Sequence, residues 1–229
     1  NLKIISKKNL KSVFYKFLIK FFSDEIIVQT PYSKKKINIF TKKKTHVIWP
    51  GLLNYNNKND TRKFDKKNSK ILFYPVSNIF DENKNFKFIS NRSNFFINNN
   101  IKIVLPSNYQ KNLDKNLYNF LIFKGNLDHK SMMRTYAKCH ATLFLSLEES
   151  CGLPIYESLF NSKPTFVLKK NYIKTNLNFF KKDPLLILFN ENNFEHTILN
   201  SLNSKKFSVF KPNTKLSRQY LDDTWDQLF

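Results

Sequence analysis

One stretch of the sequence, Ala141 to Val167, constrains the fold of this chain more than any other. It opens with a nearly continuous apolar run, Ala141 to Leu147, which predicts a strand buried on both faces of a parallel sheet. The residues from Pro154 to about Phe160 predict a helix, and the apolar run Thr165 to Leu168 predicts a second strand. The polar turn of this unit falls at the carboxyl end of a strand, where open α/β sheets usually bind ligands.

The turn between the first strand and the helix, residues 149 to 153, has the features of an anion site. Gly152 allows a backbone turn that other residues resist, and Pro154 suits the first helical position, where its missing N–H costs nothing. The free N–H groups and the positive dipole end of the helix make the turn a natural seat for a diphosphate. Glu149 lies in the turn and Glu157 one turn into the helix, so we expect two carboxylates at different depths around one anion pocket.

The pattern ESCGLPIYES from residue 149, followed by Lys163-Pro164, resembles the two-glutamate motif of the retaining GT-B glycosyltransferases called group 1, or family 4. The resemblance implies that Glu149 lies against the donor sugar and that Glu157 binds the ribose hydroxyls of the nucleotide. It further implies that the backbone of the turn approaches the sugar and the diphosphate. The turn residues expected to bind the donor are Cys151, Gly152, Leu153 and Pro154.

Glycine usage gives an independent indication of the same family. The chain has only three glycines, so each is expected at a position where a side chain would clash. Trp49-Pro50-Gly51 resembles the interdomain segment of the family. Phe123-Lys124-Gly125 resembles its Phe-x-Gly turn, whose backbone commonly borders the nucleotide. Gly125 is therefore a further expected donor-binding residue, and Gly152 is the third glycine.

Lys84 is the remaining chemical candidate. It lies between the first strand and the first helix of the expected donor domain, where the family has a lysine that contacts the donor diphosphate. A fixed ammonium there would offset the charge that gathers on the departing diphosphate, so Lys84 and Glu149 are the expected catalytic residues. The family's partner arginine is absent; Ser77 or Asn78 stands near its place, and Ser77 is the expected donor-binding residue.

Strands that alternate with helices after Ser69 predict an α/β fold with a Rossmann-like, doubly wound parallel sheet, as in a GT-B donor-binding domain. Asp128 is placed to cap one of the helices. The predicted strands of this domain, besides those named above, are Ile71–Val76, Ile101–Leu105 and Tyr118–Phe123. The predicted helices are Phe86–Ile97, His129–His140, Phe194–Phe207 and Lys215–Phe229.

The expected domain organisation follows from the resemblance and from the exposed, lysine- and asparagine-rich run at residues 56–70. Residues 1–45 are expected to be the C-terminal remnant of an acceptor-side domain, and residues 46–70 an interdomain linker. Residues 71–207 would form the nucleotide-sugar domain, and residues 208–229 a closing helix. A full GT-B enzyme needs two Rossmann-like domains, so most of the acceptor-side half is expected to be missing from these 229 residues.

The net charge of +22 arises from 39 basic and 17 acidic residues and normally indicates a polyanion or an anionic membrane as partner. Only four of the basic residues are arginine, and a chain rich in lysine, asparagine, isoleucine and phenylalanine is typical of an AT-rich genome, so the charge partly reflects mutational bias. No zinc spacing, helix-turn-helix turn or aromatic RNP pattern is present, so nucleic acid is not an expected partner. An anionic membrane surface is favoured instead, because the acceptors of such transferases are often lipid-linked.

Cysteine usage and acidic motifs exclude other chemistries. Cys139 and Cys151 provide neither a disulfide framework nor metal-ligand spacing, and we expect both to be reduced in a cytoplasmic protein. No Asp-x-Asp is present, which argues against a metal-dependent GT-A enzyme. The resemblance to GT-B enzymes implies no cofactor and no metal, with the nucleotide sugar as substrate.

The segment Val13 to Phe22 is too short and too interrupted by lysines to span a bilayer. Two alternatives remain open: a packed helix of the acceptor-side remnant, which we favour, or a basic amphipathic helix that rests on the inner face of the membrane.

The resemblance implies a retaining transfer from a UDP-, GDP- or ADP-linked sugar to a hydroxyl of a sugar or lipid-linked acceptor, in polysaccharide or lipopolysaccharide assembly. The main alternative is a donor-binding half that turns over only with a separate acceptor-domain chain. A nucleic-acid-binding protein would instead show salt-sensitive binding to random RNA that ignores Glu149 and Glu157.

Overall fold

The first part of the chain builds a small parallel sheet. The computed structural model describes residues 7–52, 69–177, 182–204, 220–221 and 224–225. Its first elements are α1 (Lys7–Phe22), β1 (Ile26–Val28), α2 (Pro31–Ile37) and β2 (Thr45–Val47). Strands β1 and β2 pair in parallel. Thr30 begins α2, because its side chain accepts a hydrogen bond from the Ser33 N–H and the following proline needs no acceptor for an N–H.

The larger sheet has six strands, all parallel. They are β3 (Lys70–Phe73), β4 (Ile101–Leu105), β5 (Leu121–Phe123), β6 (Ala141–Phe144), β7 (Thr165–Leu168) and β8 (Leu186–Phe189). Their order across the sheet is β5-β4-β3-β6-β7-β8. The order reverses between β3 and β6, which makes the crevice between these strands the topological switch point, the usual ligand site of such sheets. The predicted doubly wound parallel sheet is confirmed.

Helices cover the sheet and complete the core. They are α3 (Phe86–Ser90), α4 (Ser93–Asn98), α5 (His129–Lys138), α6 (Leu153–Phe160), α7 (Asn171–Asn176) and α8 (Phe194–Asn203). Leu72 and Tyr74 belong to one buried apolar cluster, whereas Ile71 and Phe73 belong to another. Since alternate strand residues point to opposite faces, both faces of β3 are buried, as its apolar sequence predicts.

The predicted helix Phe86–Ile97 is wrong as a single element, because it breaks at Asn91 and Arg92 into α3 and α4. The guanidinium of Arg92 donates to the Phe88 carbonyl at 3.3 Å and lies 3.8 Å from the centroid of the Phe88 ring. That carbonyl would otherwise accept the Arg92 backbone N–H, which turns to the Ile89 carbonyl instead. One side chain therefore ends the first helix.

Helix α5 ends at Lys138 and not at the predicted His140, because His140 pairs with β3. Its N–H donates to the Ile71 carbonyl at 2.9 Å, and the Ile71 N–H donates to its Nδ1 at 3.0 Å. At the other end, Asp128 accepts a hydrogen bond from the Ser131 N–H at 2.7 Å, so the predicted cap is confirmed.

Three predicted strands are shorter than expected. Strand β3 ends at Phe73 because Pro75 cannot donate to the ladder, and β6 ends at Phe144 because the Leu147 N–H turns away to the Asn83 carbonyl. Strand β5 begins only at Leu121, after a 3₁₀ turn over Lys115–Asn119 that Asp114 caps. Strand β8 and helices α2 and α7 have no counterpart in the sequence predictions, and helix α8 ends at Asn203 before the predicted Phe207.

The remaining predictions concern residues that the structure describes only in part. Most of the predicted linker and of the closing helix lies outside the described residues. Tyr220 contacts the segment after β2: the indole N–H of Trp49 donates to the Tyr220 carbonyl at 3.1 Å. The Tyr220 hydroxyl donates to Asp183 Oδ2 at 3.0 Å. Tyr220 therefore connects the segment after β2 to the loop before β8.

Candidate functional site

Lys84 and Glu149 meet at the switch point of the sheet. Lys84 belongs to the 3₁₀ turn that follows β3, and Glu149 belongs to the loop that follows β6. Lys84 Nζ lies 2.6 Å from Glu149 Oε1, and the two side chains are 29% and 18% exposed. Charges that are this far withdrawn from water are screened less by salt than a surface pair. An anionic ligand that enters the crevice therefore meets an ammonium that is already positioned.

Asn83 fixes the turn that carries Lys84. Its Nδ2 donates to the Glu148 carbonyl at 2.7 Å, and its Oδ1 accepts the Glu148 N–H at 2.8 Å. The Tyr74 hydroxyl donates to the Lys84 carbonyl. Asn85 closes the turn in the left-handed conformation (φ 61°), which asparagine tolerates better than most residues. The loop after β6 thus sets the position of the lysine as well as that of the glutamate.

The neighbours of Glu149 are held by α2. The Tyr32 hydroxyl donates to Glu148 Oε1 at 3.2 Å, and Lys36 pairs with the same carboxylate. The Ser150 carbonyl accepts hydrogen bonds from two hydroxyls, those of Thr30 at 2.6 Å and Ser33 at 3.2 Å. Both sides of Glu149 are therefore tied to α2, while Glu149 itself contacts Lys84. The sequence analysis assigned no role to these α2 residues, since their pairing spans more than a hundred positions of the chain.

Gly152 makes the turn into α6. Its φ of 73° lies in the left-handed region, and a Cβ would stand 3.3 Å from Ile155 Cδ1. Leu153 and Pro154 form the first turn of α6, one residue earlier than predicted. Within the described residues, no side chain caps this helix; Pro154 has no N–H and the Ile155 N–H donates to the Gly152 carbonyl at 2.9 Å, so the Leu153 N–H is the donor at the helix start that could meet an anion. Cys151 is buried in the turn; burial, with a smaller effect of the Glu149 charge, raises the pKa of its thiol to about 12.

Glu157 is anchored from α5. The Tyr136 hydroxyl donates to Glu157 Oε2 at 3.0 Å, and His129 Nε2 lies 3.4 Å from Oε1. Burial, followed by the charge of Glu157, raises the pKa of Tyr136 well above its ordinary value, so the phenol keeps its proton and acts as a donor. Met132, Met133, Tyr136 and Ala137 recur at helical spacing, which predicts a core-facing side of the helix, and Tyr136 is fully buried. Its polar end and the role of His129 could not be seen in the sequence.

Two cavities open near these residues. One, of about 650 Å³, lies between α2 and the loop after β6 and is lined by Tyr32, Ser33, Lys36, Ile37, Asn83, Glu148, Glu149 and Ser150. The other, of about 360 Å³, lies at the ends of β3, β4 and β5 and is lined by Pro75, Ser77, Pro106, Asn126, Leu127 and Met132. Both volumes are in the range of small-molecule sites. Met132 belongs to α5, the helix that anchors Glu157.

Gly125 and Ser77, the remaining predicted donor-binding residues, lie at the smaller cavity. Ser77 lines it, and Gly125 precedes the lining residue Asn126. Gly125 has a φ of 69°, and a Cβ there would stand 3.0 Å from Asn108 Oδ1. Of the predicted site residues, Glu149 lines the larger cavity and contacts Lys84, and Ser77 lines the smaller cavity. Among the described residues, no group of three or more His, Cys, Asp or Glu side chains is arranged to hold a metal ion.

No protein-family model and no curated protein matches this sequence. Solved structures share its fold at low identity. Sucrose-phosphate synthase from Thermosynechococcus elongatus superimposes with a TM-score of 0.72 and 16% identity, over 100% of this chain and 61% of that protein. Anabaena Alr3699/HepE, solved with UDP and glucose, gives a TM-score of 0.71 and 15% identity, over 95% of this chain and 64% of that one.

A variant of S. aureus TarM, solved with fondaparinux, alpha-GlcNAc-glycerol and UDP, gives a TM-score of 0.66 and 16% identity, over 92% of this chain. This chain spans 42% of the length of TarM and at most 64% of the other structures named here. Identities this low show the fold alone. The chain thus has the Rossmann-like fold of the GT-B glycosyltransferases.

Proposed function

We propose that this chain binds a nucleotide-sugar donor at the switch point of its six-stranded sheet and acts as the donor-binding part of a glycosyltransferase. The observation that carries the proposal is the contact of Lys84 with Glu149 at the carboxyl ends of β3 and β6. The turn before α6 brings the Leu153 N–H to the same loop. An ammonium and a helix N–H group suit a diphosphate, and a carboxylate suits sugar hydroxyls.

Binding of the donor would separate Lys84 from Glu149, since Lys84 would contact the diphosphate and Glu149 the sugar. The ammonium of Lys84 would move from the carboxylate to the diphosphate oxygens, where the Leu153 N–H at the start of α6 would add a further donor. Glu149, freed from Lys84, would accept hydrogen bonds from the sugar hydroxyls in the larger cavity. Each of the two charges would thus gain a new partner when the donor binds, so neither is left buried alone.

The nucleoside would lie towards α5. A ribose carries vicinal hydroxyls that donate to a carboxylate, and Glu157 is held from α5 by a hydrogen bond from Tyr136 and by its contact with His129. The smaller cavity, bordered by Ser77 and the residue after Gly125, would receive the base. The motif turn Cys151 to Pro154 would contribute its backbone only, because the Cys151 side chain is buried and its thiol is neutral.

The proposed reaction retains the configuration at the anomeric carbon. The bond between that carbon and the β-phosphate oxygen breaks, and a bond to the acceptor oxygen forms on the same face. The departing diphosphate takes the proton of the acceptor hydroxyl. In this proposal Lys84 supplies the positive charge that stabilises the leaving group, without a metal ion, and Glu149 orients the sugar. The solved complexes with UDP support UDP as the nucleotide to test first.

The biological setting belongs to the same proposal. WaaG, which superimposes with a TM-score of 0.68 at 11% identity, is a glycosyltransferase involved in lipopolysaccharide biosynthesis. We propose transfer to a sugar or lipid-linked acceptor in polysaccharide or lipopolysaccharide assembly, on the cytoplasmic side of a membrane. We also propose that the chain is divided into three parts: an acceptor-side remnant before residue 46, a linker up to residue 70 and a donor domain from residue 71.

Calorimetric titration of the purified chain with UDP, GDP and ADP and their glucose conjugates tests the donor site. We expect one nucleotide series to bind, and the variant Glu157→Ala to bind it at least about tenfold more weakly. Glu191→Ala is the matched control, since that carboxylate is paired with Lys170 on the surface. Absence of binding by a folded sample, or equal effects of the two variants, would refute the proposed site.

A second candidate is a donor-binding half that needs a separate acceptor-domain chain for turnover. It is favoured by one observation: the chain spans 42% to 64% of the solved structures named above. The two candidates predict the same nucleotide binding but differ in turnover. Release of UDP from UDP-glucose by the chain alone, in the presence of simple sugar acceptors, would favour the complete activity. Binding without any release would favour the partner-dependent half.

A further inference from the structure

Helix α1 carries an exposed apolar surface that nothing in the described part of the chain covers. Its members are between 48% and 73% exposed: Val13, Phe14, Tyr15, Phe17, Phe21 and Phe22. At about 100° per residue they extend over about 200° of the helix circumference. Surface helices that pack on one core usually show a narrower apolar stripe. The predicted helix is confirmed; Leu18 and Ile19 are partly buried, and the aromatic residues are exposed.

Leu18 and Ile19 of α1 are partly buried, whereas Lys16 and Lys20 are exposed. Lys16 Nζ lies 5.8 Å from the centroid of the Phe40 ring, and the Ser23 hydroxyl donates to the Ile19 carbonyl at 2.5 Å, closing the helix. Lys20 Nζ lies 5.5 Å from the centroid of the Phe21 ring. Ile39, next to Phe40, is 81% exposed and adds to the outward apolar area. Exposed lysines therefore border the exposed aromatic residues of α1.

The part of the chain around this surface is predominantly positively charged. Residues 7–52 contain eleven lysines and only two acidic residues, Asp24 and Glu25. Glu25 is already paired with Lys44. No helix among the described residues is long and apolar enough to cross a bilayer. A short helix with an aromatic face and many lysines nearby has the composition of an interfacial helix, whose rings enter the headgroup region while lysines contact anionic lipids.

We propose that α1 docks this protein on an anionic lipid surface, with the aromatic arc of residues 13–22 in the headgroup region. Charge complementarity selects the lipid as occupant: an anionic bilayer offers an apolar layer to the aromatic arc and negative headgroups to the exposed lysines at its border. The inference goes beyond the proposed function, because docking through α1 requires neither Glu157 nor Lys84.

Vesicle co-sedimentation tests the proposal with the full chain. One set of vesicles contains phosphatidylcholine alone and the other equal parts of phosphatidylcholine and phosphatidylglycerol. We expect binding to the anionic vesicles only, weakened by added salt, and reduced at least about tenfold in Phe14→Ser/Phe17→Ser/Phe21→Ser. Phe80→Ser/Ile97→Ser, which alters exposed apolar residues of the larger domain, should bind as the wild type does.

Charge variants separate the electrostatic contribution. Lys16→Glu/Lys20→Glu should weaken binding to anionic vesicles, while Lys115→Glu/Lys174→Glu, with the same change of net charge on the larger domain, should weaken it much less. Circular dichroism confirms that each variant folds, and titration with UDP should give the same result for all of them, which keeps failure of docking distinct from failure of the donor site.

Three results would overturn the proposal. The first is no binding of the wild type to either vesicle set, and the second is equal binding by the wild type and the triple variant. The third is a dimer, seen by analytical ultracentrifugation, that is lost in the triple variant while vesicles are not bound. This last result would assign the aromatic arc to contact between copies of the chain.

Discussion

The ammonium of Lys84 and the carboxylate of Glu149 lie 2.6 Å apart, although sixty-five positions separate them in the sequence. Each charge neutralises the other, and both side chains are partly withdrawn from water. A diphosphate must compete with Glu149 for the lysine. The pair therefore keeps an otherwise unfavourable carboxylate in place next to the position proposed for an anionic leaving group.

Lys84→Met should distinguish binding of the diphosphate from binding of the nucleoside. We expect the affinity for UDP to fall about tenfold, about 1.4 kcal/mol, because one charge-assisted contact is lost. The affinity for UMP should fall much less, since its single phosphate is farther from the sugar end of the site. Calorimetry with both ligands measures the ratio. Lys87→Met is the control, as Lys87 is exposed on α3; an equal loss for UDP and UMP would contradict the proposed role of Lys84.

Tyr136→Phe removes the hydroxyl that donates to Glu157 while it keeps the buried ring. A hydrogen bond to a charged group contributes about 1.5 to 3 kcal/mol, so we expect the affinity for UDP to fall by about tenfold or more. Uridine binding should weaken in parallel, because the proposed contact is with the ribose. Tyr118→Phe, which removes a hydroxyl bonded to the Gln110 carbonyl, is the matched control and should leave UDP binding unchanged. Unchanged binding by Tyr136→Phe would mean that Glu157 needs no such anchor.

Gly152→Ala should destabilise the fold through the turn before α6. A side chain at a φ of 73° costs about 1 to 2 kcal/mol, and the new methyl group would also press on Ile155 at 3.3 Å. We expect a free energy of unfolding lower by that amount, measured by urea denaturation.

Gly125→Ala gives a comparison at another left-handed glycine, where the methyl group would meet Asn108 Oδ1 at 3.0 Å. Gly125→Ala should lower the free energy of unfolding by a similar amount, about 1 to 2 kcal/mol. Wild-type stability in both variants would show that neither turn requires its glycine.

Stability should fall in alkaline solution because of the buried thiols. Burial raises the pKa of both Cys139 and Cys151 to about 12, whereas an unfolded thiol titrates near about 8.5. The folded state binds each thiol proton more tightly than the unfolded state does. The resulting stabilisation is fully present below the unfolded pKa of the thiol and is lost as the pH rises towards 12. At about pH 10 the loss is roughly 2 kcal/mol for each thiol.

The variant Cys139→Ala isolates one of these contributions. Its unfolding free energy should decrease less between about pH 8 and pH 10 than that of the wild type, while any cost of the missing sulfur is the same at both values. Urea titrations at the two pH values measure the difference. Parallel pH dependence of the two proteins would show that Cys139 ionises normally in the folded state.

Elements whose cause lies within a few neighbouring residues could be predicted from the sequence. Strands β4 and β7 have the predicted bounds, because uninterrupted apolar runs between turn residues have one favourable location, inside a parallel sheet. The turn before α6 also has a local cause. Gly152 permits the left-handed backbone, and Pro154 has no N–H that would need an acceptor at the start of the helix. From these elements the sequence predicts Glu149 in the turn after a strand and Glu157 one turn into the helix that follows.

Tertiary structure alone decided which side chains meet. The pairing of Lys84 with Glu149, of Tyr136 with Glu157 and of Tyr32 with Glu148 joins residues 65, 21 and 116 positions apart. Such contacts depend on strand order and on the reversal between β3 and β6, and no local pattern of residues encodes either of these. The sequence by itself determined the types of element and the candidate carboxylates. Packing decided their partners, because a side chain's partner is chosen by proximity across the sheet and not along the chain.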